Sequence, residues 1–229
     1  MLRIRAERRP QIVAASRAEI PSWGTPTVVT AKDRTELATN GSKAIRGYDP
    51  DTGKQLWTLG PNSEVTCTTP VPAQGLIYVT AGYPPVQPIY AIKVGSNGDL
   101  TLKDGKESSD AIAWSKQRGG VYLPSPLVYG EHLYTVGNNG ILSVYDAKSG
   151  TRIYRQRVGE GGSFMASPVM AAGKLYISSE DGDAYVVKAG ATYELLSKNP
   201  IGEPILATPA LAGDLLLVRG AKHLFAIAE

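Results

Sequence analysis

The sequence predicts an all-β protein, a β-propeller of four-stranded antiparallel blades, and three observations predict it. A Ser/Thr-Pro dipeptide recurs as Thr25-Pro26, Thr69-Pro70, Ser125-Pro126, Ser167-Pro168 and Thr208-Pro209, with successive prolines 44, 56, 42 and 41 residues apart. The residues that follow repeat as well. A glycine (Gly75, Gly130, Gly173, Gly213) comes four or five positions after its proline, and Tyr78, Tyr134, Tyr176 and finally Leu217 come eight after it. Third, the stretch GYDPDTGKQLWTLG (Gly47 to Gly60) has a second copy in VYDAKSGTRIYRQRVG (Val144 to Gly159), with Tyr154 in the place of Trp57. A period of about 42 residues holding four short strands fits a propeller blade, whose repeats run ~40–50 residues. Helical repeats of similar period need apolar residues at i, i+3 and i+4. These segments are short β-branched and aromatic runs between glycines instead.

Each element has a local reason. After the marker, two short strands are expected around the glycine turn. The first unit, TPTVVTAKDRTELAT, replaces that turn with a longer charged loop around Lys32-Asp33-Arg34. Third strands are expected at Lys43 to Tyr48, Pro88 to Ile92, Ile141 to Tyr145, Ala184 to Val187 and His223 to Ile227. In the turn that follows, Pro50 presets its φ and Gly53 can adopt the positive φ of a tight reversal. A fourth, often aromatic strand completes the unit. The 56-residue interval holds an insertion, VGSNGDLTLKDGKESSDAIA, between Lys93 and Trp114. Trp114 then stands where Trp57 stood, and the insertion reads as a solvent loop that enlarges the turn after the third strand. The fourth unit is worn down to Lys188-Ala189-Gly190-Ala191-Thr192, with Leu195 or Leu196 in the aromatic place.

The blades are expected at about 21–63, 64–119, 120–161, 162–202 and 203–229, after a basic segment over residues 1–20. Within that segment LRIRAERR, residues 2–9, alternates in its first half. It reads either as a strand closing the last blade or as the fourth strand of a preceding one. About five blades are present and the last unit stops after its third strand. The expectation is therefore a fragment of a seven- or eight-bladed propeller, or a chain that associates through open blade edges.

Composition narrows the function classes. In 229 residues there are 25 Gly, 16 Pro and 12 Tyr, the usage of many short strands joined by tight turns. The net charge is +3, and residues 1–20 carry all of it, as Arg3, Arg5, Arg8, Arg9 and Arg17 against Glu7 and Glu19. The body is neutral, which argues against a nucleic-acid face. A single cysteine, Cys67, excludes an intramolecular disulfide and a multi-cysteine metal site, and reads as a buried structural thiol. No apolar run approaches the roughly 20 residues of a membrane helix. Ile12-Val13-Ala14-Ala15 is too short for the apolar region of a signal peptide.

The pattern DxxTGxxxW, present as Asp49-Pro50-Asp51-Thr52-Gly53-Lys54-Gln55-Leu56-Trp57, resembles the repeat of PQQ-like β-propellers. That family includes quinoprotein dehydrogenases and BamB-like assembly lipoproteins. The second copy is partial, through Asp146, Ser149, Gly150 and Tyr154, and the resemblance runs from Trp23 to the C-terminus. It implies that Trp57, Trp114 and Tyr154, with Gly53 and Gly150 in the turns, dock neighbouring blades. It also implies a periplasmic or extracytoplasmic location, although this chain shows no signal peptide, and protein or peptide partners of a non-catalytic scaffold. The alternative it leaves open is a fragment of a PQQ-dependent alcohol or sugar oxidoreductase.

Catalytic signatures are sparse. Quinoprotein enzymes resemble this repeat but bring a calcium site, a general-base Asp and a vicinal disulfide, and Cys67 alone cannot supply the last. Glu180-Asp181-Gly182-Asp183 is the densest acidic group and reads as a turn between strands, since a calcium loop needs six to eight oxygens in defined spacing. His132 and His223 have no Cys, His or carboxylate at metal spacing in sequence. No GxSxG elbow, Walker loop or GxGxxG strand-turn-helix occurs. Gly159 to Gly162 lies between units with no helix after it, and Asn40-Gly41-Ser42 fits the glycosylation pattern only formally. No catalytic, cofactor-binding or metal residues are assigned, and no cofactor is expected.

Overall fold

The computed structural model describes residue 16, residues 19–31 and residues 34–228. The segment LRIRAERR and the Lys32-Asp33 part of the first loop lie outside the described residues. Twenty strands and no helix are found among those that are described. The first sheet contains β1 (Thr27–Thr30), β2 (Thr35–Asn40), β3 (Ile45–Tyr48) and β4 (Gln55–Leu59). The second contains β5 (Val71–Ala73), β6 (Leu76–Thr80), β7 (Ile89–Lys93) and β9 (Ile112–Lys116). Between β7 and β9 lies β8 (Gly98–Asp99).

The third sheet is β10 (Leu127–Tyr129), β11 (His132–Val136), β12 (Ile141–Asp146) and β13 (Arg152–Arg157). The fourth is β14 (Val169–Ala171), β15 (Lys174–Ser178), β16 (Asp183–Lys188) and β17 (Leu195–Pro200). The fifth has three strands, β18 (Ala210–Ala212), β19 (Leu215–Arg219) and β20 (Leu224–Ile227). Apart from β8, each sheet is an antiparallel meander in sequence order, so the fold is a propeller of blade-like sheets.

The insertion differs from a free solvent loop. Its strand β8 pairs in parallel with β4 and adds a fifth strand to the outer edge of the first blade. Leu100 explains this: it is buried in the apolar cluster that Trp57, Leu59 and Ile45 form with Ile77, Tyr90 and Ile92. The Leu100 amide also donates to Thr58 O at 2.8 Å, which continues the ladder.

Local chemistry sets the hairpins. Between β5 and β6 the two-residue turn is Gln74-Gly75, both at positive φ, the geometry whose twist matches that of the flanking strands. Among the described residues three buried clusters form the core, and each lies between two adjacent blades rather than within one. They join the first blade to the second, the second to the third, and the third to the fourth.

Candidate functional site

The Ser/Thr-Pro marker acquires a physical reason at the inner strands. The Thr69 amide donates to Ser125 Oγ at 2.9 Å, the Ser125 amide to Ser167 Oγ at 2.9 Å, and the Ser167 amide to Thr208 Oγ1 at 3.1 Å. The Ser125 and Ser167 hydroxyls thus each accept from the blade before while their own amides donate to the blade after. The following proline has no N–H, so this amide is the last donor before the inner strand begins. In the first blade Thr27 Oγ1 donates to Pro70 O at 2.8 Å.

The aromatic positions sit on the outer part of the same seams. Trp114 in β9 donates its indole N–H to Ala147 O of the third blade at 2.7 Å, and Tyr78 in β6 donates to the same oxygen at 3.0 Å. Tyr145 stacks on Trp114 with ring centroids 6.4 Å apart. Gly150 closes this turn at φ +70°, where a Cβ would overlap the Trp114 ring. One blade further on, the Gly190 amide donates to Tyr134 Oη at 3.0 Å. Tyr154 faces the fourth blade, edge-on to Tyr193 at 6.1 Å, and its buried hydroxyl has no protein partner among the described residues. Burial pushes the Tyr78 and Tyr154 phenols up to about 12, with the Asp146 charge adding to the effect on Tyr78 and the neighbouring tyrosines to that on Tyr154.

Trp57 solves the same problem by another route. Its ring lies over its cross-strand partner Gly47, where a Cβ would overlap the indole. Its indole N–H donates at 2.8 Å to Glu36 Oε2 rather than to a carbonyl of the next blade. Glu36 is fully buried, and its Oε1 accepts from the Gly95 amide at 3.1 Å. Arg34 completes the clamp, with Nη2 3.2 Å from Glu36 Oε2 and Nη1 donating to Asn97 Oδ1 at 2.6 Å. A buried carboxylate needs a cation and donors, and Arg34, Trp57 and Gly95 supply them. Glu36 carries no sequence signal beyond an acid in a strand, so sequence reasoning missed it.

The turns are local. Asp49 accepts from the Thr52 amide at 3.0 Å and the Asp51 amide at 2.9 Å, which holds its carboxyl below the usual carboxylate range. Gly53 sits at φ +71° and donates its amide to Asp49 O at 2.8 Å. Asp146 repeats the arrangement through the Ser149 hydroxyl and amide, both at 2.7 Å, and its carboxyl is lowered in the same way.

The remaining candidates are scattered. Glu180 to Gly182 lie in the turn between β15 and β16, and no group of three or more His, Cys, Asp or Glu able to hold a metal ion occurs among the described residues. His132 lies edge-on to Tyr134 at 6.0 Å. The His223 ring contacts Glu203, and Glu203 Oε2 also accepts from the Lys222 amide at 2.7 Å and the His223 amide at 3.1 Å. These contacts, led by the imidazole, lower the Glu203 carboxyl. The 20-residue separation hid this pair from sequence reasoning. Cys67 is half-buried beside Tyr122, and burial raises its thiol pKa. Between the fourth and fifth blades an open groove is lined by Tyr176, Val186 and Leu196 on one side and Leu211, Leu215 and Ile227 on the other.

Known proteins share this fold. The family model described as outer membrane protein assembly factor BamB matches residues 10–228. The chain belongs to that family. Among solved structures, the crystal structure of BamB from Moraxella catarrhalis superposes with a TM-score of 0.61 at 16% sequence identity. That alignment covers 85% of this chain and 54% of the other, so the chain spans about half the length of the BamB structure it matches. At that identity the likeness concerns the fold. No curated protein matches by sequence. As a BamB-family propeller the chain has no helix among its described residues long and apolar enough to cross a membrane.

Proposed function

We propose that this chain is a protein-interaction module, a BamB-type propeller that holds polypeptide partners on its blade surfaces and performs no catalysis of its own. One observation carries the reading. The side chains that define the repeat are turned into the seams: the marker hydroxyls bond blade to blade, and the Trp114 indole is spent on Ala147 O at 2.7 Å. Trp57, Trp114, Tyr154, Gly53 and Gly150 are accordingly proposed as blade-docking residues. What faces outward is strand edge, loop and charge, with apolar residues exposed chiefly around the fourth and fifth blades, and strand edges are the surface on which extended peptides are held by strand addition. The family description, which names an outer membrane assembly factor, supports protein partners and a periplasmic or other extracytoplasmic place of work.

The test is a pair of titrations. A urea-unfolded outer-membrane β-barrel polypeptide, labelled and diluted into the protein, should bind saturably by fluorescence anisotropy. PQQ with calcium should give neither saturable binding nor dye-linked oxidation of alcohols or sugars. Quinone turnover without polypeptide binding would replace the scaffold reading with the oxidoreductase one.

A further inference from the structure

The outer edges of the blades differ: that of the fifth, β20, is open but apolar, with the sequence LFAI. The edge of the first blade is occupied by β8. On β9, Lys116 is paired with Glu107 at 3.4 Å. On β17, Lys198 is paired with Asp183 at 3.0 Å, and Pro200 removes a donor. Strand β13, with the sequence RIYRQR, is hydrogen-bonded among the described strands to β12 alone. Its Arg152, Arg155 and Arg157 are exposed, and no carboxylate lies within ion-pair distance of them among the described residues.

The register puts all three on one face. Arg157 pairs with Ile141, Arg155 with Ser143 and, across the bulge, Arg152 with Tyr145, which are alternate residues of β12. The opposite face of β13 carries Tyr154, packed toward the fourth blade. Arg157 is positioned further by donating Nη1 to Asn139 O at 2.8 Å.

We infer that the free edge of β13 takes an extended acidic segment of a partner protein, with Asp or Glu at alternate positions facing Arg155 and Arg157. This rests on the protein-binding reading above and names the blade and the chemistry. A strand added at this edge hydrogen-bonds to the open backbone, and residues two apart in it project onto one face. Opposite charges directly across such a pair stabilise it, whereas like charges oppose it. The three guanidiniums therefore bar a second copy of the same edge and admit a carboxylate-bearing strand. Arginine suits this better than lysine, because its planar fork engages a carboxylate through two parallel hydrogen bonds.

The experiment uses the whole chain and a fluorescent peptide of roughly six alternating Glu and Thr/Val pairs. Binding should be saturable and weaken at about 0.5 M salt. R155E/R157E should lose about tenfold or more in affinity while its circular dichroism and melting temperature stay those of the parent. Replacing each Glu of the peptide by Lys, or N-methylating its backbone at alternate residues, should abolish binding. Equal binding of the Glu and Lys peptides, or an unaltered affinity in R155E/R157E, would overturn the inference. So would arginine-dependent binding to phosphatidylglycerol vesicles in the absence of peptide binding. If R155E/R157E still binds the unfolded β-barrel polypeptide, the β13 assignment fails and the interaction-module reading stands. Failure of the parent protein to bind either probe removes both.

Discussion

Gly150 and Trp114 act as one device across a seam. The turn must reverse at φ +70°, which costs an L-residue about 1–2 kcal/mol, and its Cα must lie flat against an indole from the blade before. Gly150→Ala should therefore destabilise the protein in urea unfolding beyond the backbone cost alone. Trp114→Ala removes the ring itself and should cost about 3–5 kcal/mol, the usual range for a buried Trp. The two tyrosine positions separate the hydroxyl from the ring. Tyr78→Phe forfeits a bond to Ala147 O and should lose about 1 kcal/mol, while Tyr154→Phe removes a buried hydroxyl without a protein partner among the described residues and should be neutral or stabilising. The aromatic positions and the turn glycines stand out in the sequence because their types recur at a fixed period, and their docking role is the proposal these variants test. Glu36 does not stand out, since its role exists only once the insertion has placed Gly95 and Asn97 beside it.

At the scale of elements, the turns carry a pH dependence with a definite sign. Asp49, Asp146 and Glu203 are all held below their ordinary pKa by hydrogen bonds made in the fold. A carboxyl depressed in the folded state contributes stability above its unfolded pKa and loses it as pH falls through the folded value. The melting temperature should thus be flat near neutrality and fall in the acid range below about pH 4. Asp146→Asn should flatten part of that acid limb. Strand order within each blade followed from the spacing of glycines and tyrosines, and third strands end within a residue or two of their expected limits. The β8 pairing was opaque, because a two-residue Gly-Asp strand has no periodicity to read, and Leu100 signals burial only by its apolar side chain. Leu100→Asp should therefore destabilise the first blade, where a surface-loop position would tolerate the charge.

At the scale of the whole molecule, the three buried clusters make neighbouring blades interdependent. Stability in such an array is a sum of repeat terms and interface terms, and seam mutations act chiefly on the second. The sequence disclosed this architecture through its period but disclosed the proposed interaction surface hardly at all. RIYRQR reads as a polar outer strand, and only the register shows that its three arginines share a face while other edge cations are neutralised. The most direct test of the account is amide hydrogen exchange of the whole chain with and without bound unfolded β-barrel polypeptide. The account predicts new protection concentrated in residues 152–157, with the seam residues around Ala147, Gly150 and Gly190 unchanged. Protection confined to other blades, or none alongside saturable PQQ binding, would contradict it.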